Sequence, residues 1–187
     1  MSNTNGVTKQ RTIQSMVPPQ MLFGYTYHAM MVPPFPPRSM LVLGYGEGTV
    51  AHLTHRIWPL PIQIDAVDIA PSTKHATILT DDESVSLLQM DAERFVKGCS
   101  KIYDYVVVDL YVVDRIPKFV FSPDFVSDLR RITGRMLAVN CTYYLWDDFK
   151  SYNRYFNVDC VKQTNSDKVL FFEPTKIKLT EAPHDRR

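Results

Sequence analysis

The sequence predicts an α/β fold in which a mostly parallel sheet carries helices on both faces. Three observations carry that reading. From Ser39 to Asn140, short apolar runs alternate with segments of helical spacing, the order that produces crossover connections between parallel strands. The run Tyr105-Val106-Val107-Val108 is apolar without a break, as in a strand covered on both sides. The first apolar run ends in Gly44, Gly46 and Gly48, just ahead of a helical segment, where an open sheet of this kind places its ligand loop.

The elements follow in order. Six of the 13 prolines lie between residues 18 and 37; proline neither donates to a ladder nor continues a helix, so this stretch is expected to be extended and irregular. Strands are expected over 40–44, 62–69, 85–90, 105–110 and 135–140, with 158–162 and 169–172 closing the series as an antiparallel pair. The segment 62–69 alternates at its start, as a strand with one polar face does. Helices are expected over 48–57, 70–80, 92–98, 121–133 and 146–156, with Ser122 a candidate cap and Gly134 a candidate stop for the fourth. Residues 1–38 then form a proline-rich lead-in, 39–174 a Rossmann-like nucleoside-binding domain and 175–187 a solvated tail.

Composition narrows the class of partner. The 187 residues carry 21 Lys and Arg against 20 Asp and Glu, a formal charge of +1, which offers neither nucleic acid nor an anionic membrane an electrostatic handle. No run approaches the roughly 20 apolar residues of a membrane span, and the polar opening segment lacks the apolar stretch of a secretory signal. Cys99, Cys141 and Cys160 have no metal-ligand spacing; a sparse odd count fits reduced thiols and a cytoplasmic setting.

The chemistry concentrates at the ends of the expected strands. Gly44-Tyr45-Gly46-Glu47-Gly48 follows the pattern G-x-G-x-G, shorter than the G-x-G-x-x-G of dinucleotide sites. Glu47, beside a helix start, is a candidate for plain helix capping; as a ligand residue it would repel a pyrophosphate and attract an ammonium or sulfonium, so a dehydrogenase is disfavoured. Asp68, twenty residues after Gly48, ends the second strand and can accept from both hydroxyls of a ribose; Ile69 follows it. Asp65 stands at an odd offset from Asp68 and faces the other side of the sheet. Asp91 follows the third strand, where it can accept from an adenine amino group while the Ala92 N–H serves a ring nitrogen; a helix cap is the plain alternative for Asp91. Asp109 ends the apolar fourth strand, where a carboxylate can orient an amine or take its proton, with Tyr111 and Asp114 in the loop beyond. His28, upstream in Tyr27-His28-Ala29-Met30, is a candidate for the ligand's tail or for local packing.

Together these residues resemble the spermidine synthase-like branch of the class I S-adenosylmethionine-dependent transferases, over about residues 25–145. That family shows a tyrosine-histidine-glutamate-methionine segment, a proline-rich approach and a strand ending in glycine-glycine-glycine-aspartate-glycine. The corresponding pieces here are Tyr27 to Met30, Pro33 to Pro37 and Gly44 to Gly48. The resemblance implies a Rossmann-like class I methyltransferase fold with a mostly parallel seven-stranded sheet. It implies S-adenosylmethionine or decarboxylated S-adenosylmethionine as co-substrate, no metal, a polyamine-type amine as acceptor, and a homodimer; Phe121, Phe125, Tyr143, Tyr144 and Trp146 are candidates for its apolar face or, equally, for core packing. The family's ribose acid falls on Asp68, its adenine-site acid on Asp91 and its catalytic aspartate on Asp109.

The departures are specific. Tyr45 replaces a glycine and would crowd or cover the nucleoside; Glu47 replaces an aspartate; Ala29 replaces a glutamate; Ala70 stands where a second ribose-site acid is common; Asp114 matches the second acid of the catalytic loop only with a shift. The stretch ahead of Ser39 is shorter than the family's N-terminal β-structured domain, which helps build the polyamine pocket. The expected activity is aminopropyl transfer to an amine. The alternatives are methyl transfer on the same scaffold and a non-catalytic nucleoside-binding remnant.

Overall fold

The computed structural model describes residues 26–70, 84–113, 115–141, 146–163 and 168–175. The expected helix over 70–80, Asp114, Tyr143, Tyr144, residues 1–25 of the lead-in and residues 176–187 of the tail lie outside the described residues, apart from Ala70 at the start of that helix.

Seven strands form one sheet: β1 (Ser39–Leu43), β2 (Gln63–Asp68), β3 (Val85–Gln89), β4 (Tyr103–Val108), β5 (Thr133–Asn140), β6 (Phe156–Gln163) and β7 (Lys168–Pro174). Their order across the sheet is β3-β2-β1-β4-β5-β7-β6. The pairs β1–β2, β1–β4, β2–β3 and β4–β5 are parallel, while β7 runs antiparallel to both β5 and β6. This is the Rossmann-like class I methyltransferase architecture, with a single reversed strand.

Alternation along the central strands divides the core into two layers. Leu41, Leu43, Val106, Val108, Leu137, Val139, Leu170 and Phe172 face one side, where they meet Ala92 and Val96 of α3 (Ala92–Gly98) and Phe125, Val126, Leu129 and Ile132 of α4 (Pro123–Ile132). Met40, Val42, Tyr105, Val107, Ala138 and Phe171 face the other, under Met30 of α1 (Thr26–Met30) and Val50 and Ala51 of α2 (Thr49–Ile57). The unbroken apolar runs of β1 and β4 follow from this: both are central strands buried from above and below.

Several local expectations are corrected. The lead-in is not wholly extended, because Thr26–Met30 makes a helical turn. The proline-rich stretch after it seals one core layer. The Trp58 indole donates to the Pro33 carbonyl at 3.1 Å, the Tyr105 hydroxyl donates to the Met31 carbonyl at 2.8 Å, and Phe35 lies edge-on to Tyr105 beneath the Arg135 guanidinium. The fourth expected helix begins at Pro123 rather than 121, with the Ser122 hydroxyl accepting from Phe125 N as its cap. Gly134 does not stop that helix. The helix ends at Ile132, and Gly134 is already in β5, where a Cβ would press to 3.1 Å on the Tyr103 carbonyl oxygen.

The helix expected over 146–156 is absent. In its place stand two short 3-10 turns, Trp146–Phe149 and Tyr152–Arg154, and Phe156 opens β6. The buried positions Phe149 and Tyr152 are three apart, a spacing that a three-residue period satisfies as well as an α-helical one. Tyr152 stacks on Phe172 and donates to the Val120 carbonyl, so packing fixes the turn. Of the aromatics considered for an apolar dimer face, Phe125 is in the core and Phe121 packs against Phe149, as the core-packing alternative has it. No described helix is long and apolar enough to cross a membrane.

Candidate active site

The carboxyl ends of β1 to β5 converge on one edge of the sheet. The chain leaves β1 toward β2 and β3 on one side and returns to β4 and β5 on the other, so the switch point, where sheets of this kind bind their ligands in a crevice, lies between the tips of β1 and β4. Two backbone hydrogen bonds mark the spot: Gly44 N donates to Val67 O and Asp109 N to Leu43 O, each at 2.8 Å.

The glycine turn explains its own composition. Gly44, Gly46 and Gly48 have φ of 88°, 54° and 79°, all in the left-handed region that side chains with a Cβ avoid. At Gly44 a Cβ would also collide with the Asp109 carbonyl oxygen, so the turn and the β4 tip touch through backbone alone. Gly46 has open space where a Cβ would stand and is exposed. That open backbone fits a bound nucleoside. Tyr45 points elsewhere. Its ring is buried in the core layer with Met30, Met31, Val50 and Ala51, so it fastens the loop from beneath instead of covering the crevice as expected.

Asp68 holds the turn from the neighbouring strand. Its Oδ2 accepts from Gly46 N at 2.9 Å and its Oδ1 from Ala70 N at 2.8 Å. Each carboxylate oxygen has a second acceptor direction, which leaves capacity for ribose hydroxyls. Ile69 is 66% exposed at the same tip, with Met90 also partly exposed at the next, so the β2 and β3 ends present apolar surface beside the acid. Asp91 is the cap of α3: its Oδ1 accepts from Arg94 N at 2.9 Å. The capping role is therefore real, and its Oδ2 has no protein hydrogen bond among the described residues. Ala92 is buried as the first residue of α3 and can offer a ligand only backbone.

On the other side of the crevice, Asp109 is nearly buried, with 11% of its side chain exposed. Its Oδ1 accepts from Asn140 Nδ2 at 2.9 Å, and the Tyr111 hydroxyl donates to Asn140 Oδ1 at 3.3 Å. His28 Nε2 stands 3.7 Å from Asp109 Oδ2, outside hydrogen-bond reach. Burial pushes the Asp109 carboxyl up to about 6; the Asn140 hydrogen bond opposes the rise and the Asp68 charge adds to it. Burial lowers His28 to about 4, against the pull of the Glu47 charge. At neutral pH the two are therefore a carboxylate and a neutral imidazole, not an ion pair. Beyond Tyr111 the chain doubles back, Val112 and Arg115 exchanging hydrogen bonds of 2.9 and 3.2 Å, with Val113 at φ 62° and almost fully exposed. A branched side chain in that conformation costs about 1–2 kcal/mol.

Thus Gly44, Gly46, Gly48, Glu47, Asp68, Asp109, His28 and Tyr111 gather around one crevice, with Asp91 and Ala92 at the next strand tip. Asn140 is the functional candidate that the sequence reading passed over. Its signal was available: an amide ends β5 in register with the acid that ends β4, since Val108 pairs with Val139. Among the described residues no three His, Cys, Asp or Glu side chains gather closely enough to hold a metal ion.

Comparison with known proteins adds the following. No protein-family model matches the chain. A polyamine aminopropyltransferase of Thermoplasma acidophilum is 29% identical over 123 residues, covering 58% of this chain and 44% of that protein. The Thermoplasma volcanium counterpart is 28% identical with the same coverage, so the chain spans under half the length of these relatives. Among solved structures, the N-methyltransferase NodS from Bradyrhizobium japonicum in complex with S-adenosyl-L-homocysteine superposes with a TM-score of 0.64 at 9% identity, covering 90% of this chain and 99% of that one. Spermidine synthase from Thermotoga maritima gives 0.58 at 13% identity, covering 80% and 60%. These structural likenesses establish the class I methyltransferase fold.

Proposed function

We propose that the chain binds an S-adenosyl nucleoside and transfers an alkyl group, most specifically aminopropyl, to a small amine in the polyamine class. The observation that carries this reading is Asp109: a nearly buried carboxylate at the β4 tip, tethered by Asn140, whose backbone meets the glycine turn at Gly44. Asp68 is suited to the ribose and Asp91 to the adenine. Glu47 is suited to an ammonium at the donor's tail.

The acceptor's role follows from proton balance. An alkylamine has a pKa near that of lysine, about 10.4, so it reaches the site as an ammonium. Its nitrogen needs a free lone pair to attack the carbon beside the sulfonium. As the N–C bond forms, the C–S bond breaks, its electrons neutralise the sulfur, and methylthioadenosine leaves. Asp109 Oδ2 attracts the incoming cation and takes the proton that the nitrogen loses. A carboxyl that titrates near 6 is ionised at pH 7 yet close enough to neutrality to exchange that proton.

Glu47, Asp68 and Asp109 make the crevice acidic, which suits a cationic acceptor and a donor without a carboxylate. Methyl transfer from intact S-adenosylmethionine is the second reading, since the N-methyltransferase NodS shares the fold over 90% of this chain. Calorimetric titration with both donors, followed by turnover on an amine panel, separates the two. The proposal expects preference for the decarboxylated donor and methylthioadenosine release that Asp109→Ala abolishes. Preference for the carboxylated donor would replace it with methyl transfer. Tight methylthioadenosine binding without turnover of either donor would mark a non-catalytic nucleoside binder.

A further inference from the structure

Three buried polar residues interrupt the described core: Thr54, Thr133 and Asn140. The two threonine hydroxyls bond back to helix carbonyls, Thr54 to Val50 O and Thr133 to Leu129 O, a local arrangement with no outlet. Asn140 differs. Only 4% exposed, it sits at the end of a strand whose neighbouring residues are apolar, and its amide bridges two side chains of the crevice, Asp109 and Tyr111. A buried amide at a strand tip costs stability unless satisfied, and here both ends are engaged in a fixed order. The NH2 must face the carboxylate and the carbonyl must face the Tyr111 hydroxyl, because a flipped amide would set two acceptors against each other.

We infer that Asn140 is a positioning residue for the transfer reaction: anchored by Tyr111, it holds Asp109 by Oδ1 and presents Oδ2, on the His28 side, to the acceptor nitrogen. This rests on the proposed reaction. The geometry is tight because Asp109 and Asn140 follow paired residues of adjacent parallel strands, Val108 and Val139, so the register of the sheet sets their separation. The groups facing Asp109 are then His28 from α1, Asp68 from the β2 tip, Asn140 from β5 and, through the amide, Tyr111 from its own loop; Glu47 acts on His28. Asn140 is the neighbour that stabilises the ionised form through a hydrogen bond, while Asp68 opposes it.

The test reads Asp109 directly. In protein labelled with 13C at aspartate carboxyls, the Asp109 resonance, assigned by its loss in Asp109→Asn, is titrated in wild type, Asn140→Ala and Tyr111→Phe. Loss of a hydrogen bond to a charged group should raise the apparent pKa of Asp109 by about one pH unit in Asn140→Ala, and by less in Tyr111→Phe. The acidic limb of kcat/KM should move up by the same amount while methylthioadenosine affinity stays within about twofold of wild type, and Asn140→Gln should recover part of the shift. An unchanged Asp109 titration in a folded Asn140→Ala protein overturns the inference. If Asn140→Ala loses its cooperative melt, Tyr111→Phe decides, since an unshifted titration there overturns the tether. If wild type turns nothing over, the reaction fails, and with it Asn140's role in transfer. The titration still decides whether the tether exists.

Discussion

The two halves of the crevice use the same residue type in opposite ways. At the β1 to β3 tips, Asp68 and Asp91 spend carboxylate oxygens on backbone N–H groups: Gly46 and Ala70 for the first, Arg94 for the second. Both acids are reachable from solvent, and both shape backbone. At the β4 to β5 tips, Asp109 is nearly buried and bonded to a side-chain amide, and its titration is displaced by burial. Charge near water builds a stable cradle cheaply, whereas charge removed from water is costly and is kept where chemistry needs a proton acceptor. In the proposed reaction the first half frames the nucleoside and the second is the reacting end.

That contrast can be broken most sharply at the point where the halves touch. Gly44→Ala forces a Cβ into the Asp109 carbonyl at a left-handed φ, so it should cost about 2–4 kcal/mol, measured by denaturant titration, and lower both binding and turnover. Asp68→Ala strikes the frame alone. Losing two charge-assisted bonds to the turn should weaken methylthioadenosine binding by about 10- to 100-fold in calorimetry, while the Asp109 titration moves down slightly, because a repelling charge has gone.

A smaller effect tests the cost assigned to the second half. The folded-state pKa of Asp109, about 6, lies above the ordinary 3.8. The native chain therefore binds a proton more tightly than the unfolded chain, and stability is lost as pH rises through that window. Asp109→Asn should stabilise the protein by about 1–3 kcal/mol at pH 8, with the gain fading toward pH 4, in paired thermal melts. His28 runs the other way. Its pKa is lowered to about 4 from 6.5, so its contribution is present above pH 6.5 and lost as pH falls toward 4. The wild-type stability profile between pH 4 and 6 should consequently be flatter than that of His28→Asn, which should lose stability as pH rises across the same interval.

Legibility in the sequence divides along physical lines. The central strands could be read because burial on both faces leaves unbroken apolar runs, as in Val106 to Val108. The acids could be read because parallel strands deliver their tips to one edge, so Asp68, Asp91 and Asp109 shared a place before any distance was known. What resisted reading was set by packing. Phe149 and Tyr152 fit a helix by spacing, yet their contacts with Phe121, Phe172 and the Val120 carbonyl hold 3-10 turns. Tyr45 sits in a turn whose flanking positive φ values decide which way the ring goes, and those values are invisible in a list of residues. Asn140 shares that edge as the last residue of β5, but an uncharged amide shows its role only through its two side-chain hydrogen bonds, to Asp109 and from Tyr111.

The most direct test of the division is a crystal structure with methylthioadenosine bound. The ribose hydroxyls should lie on Asp68, the adenine beside Asp91 and Ile69, and the thioether sulfur should point across the glycine turn to Asp109. A nucleoside seated away from the β1–β4 tips, or with its sulfur directed away from Asp109, would contradict the account.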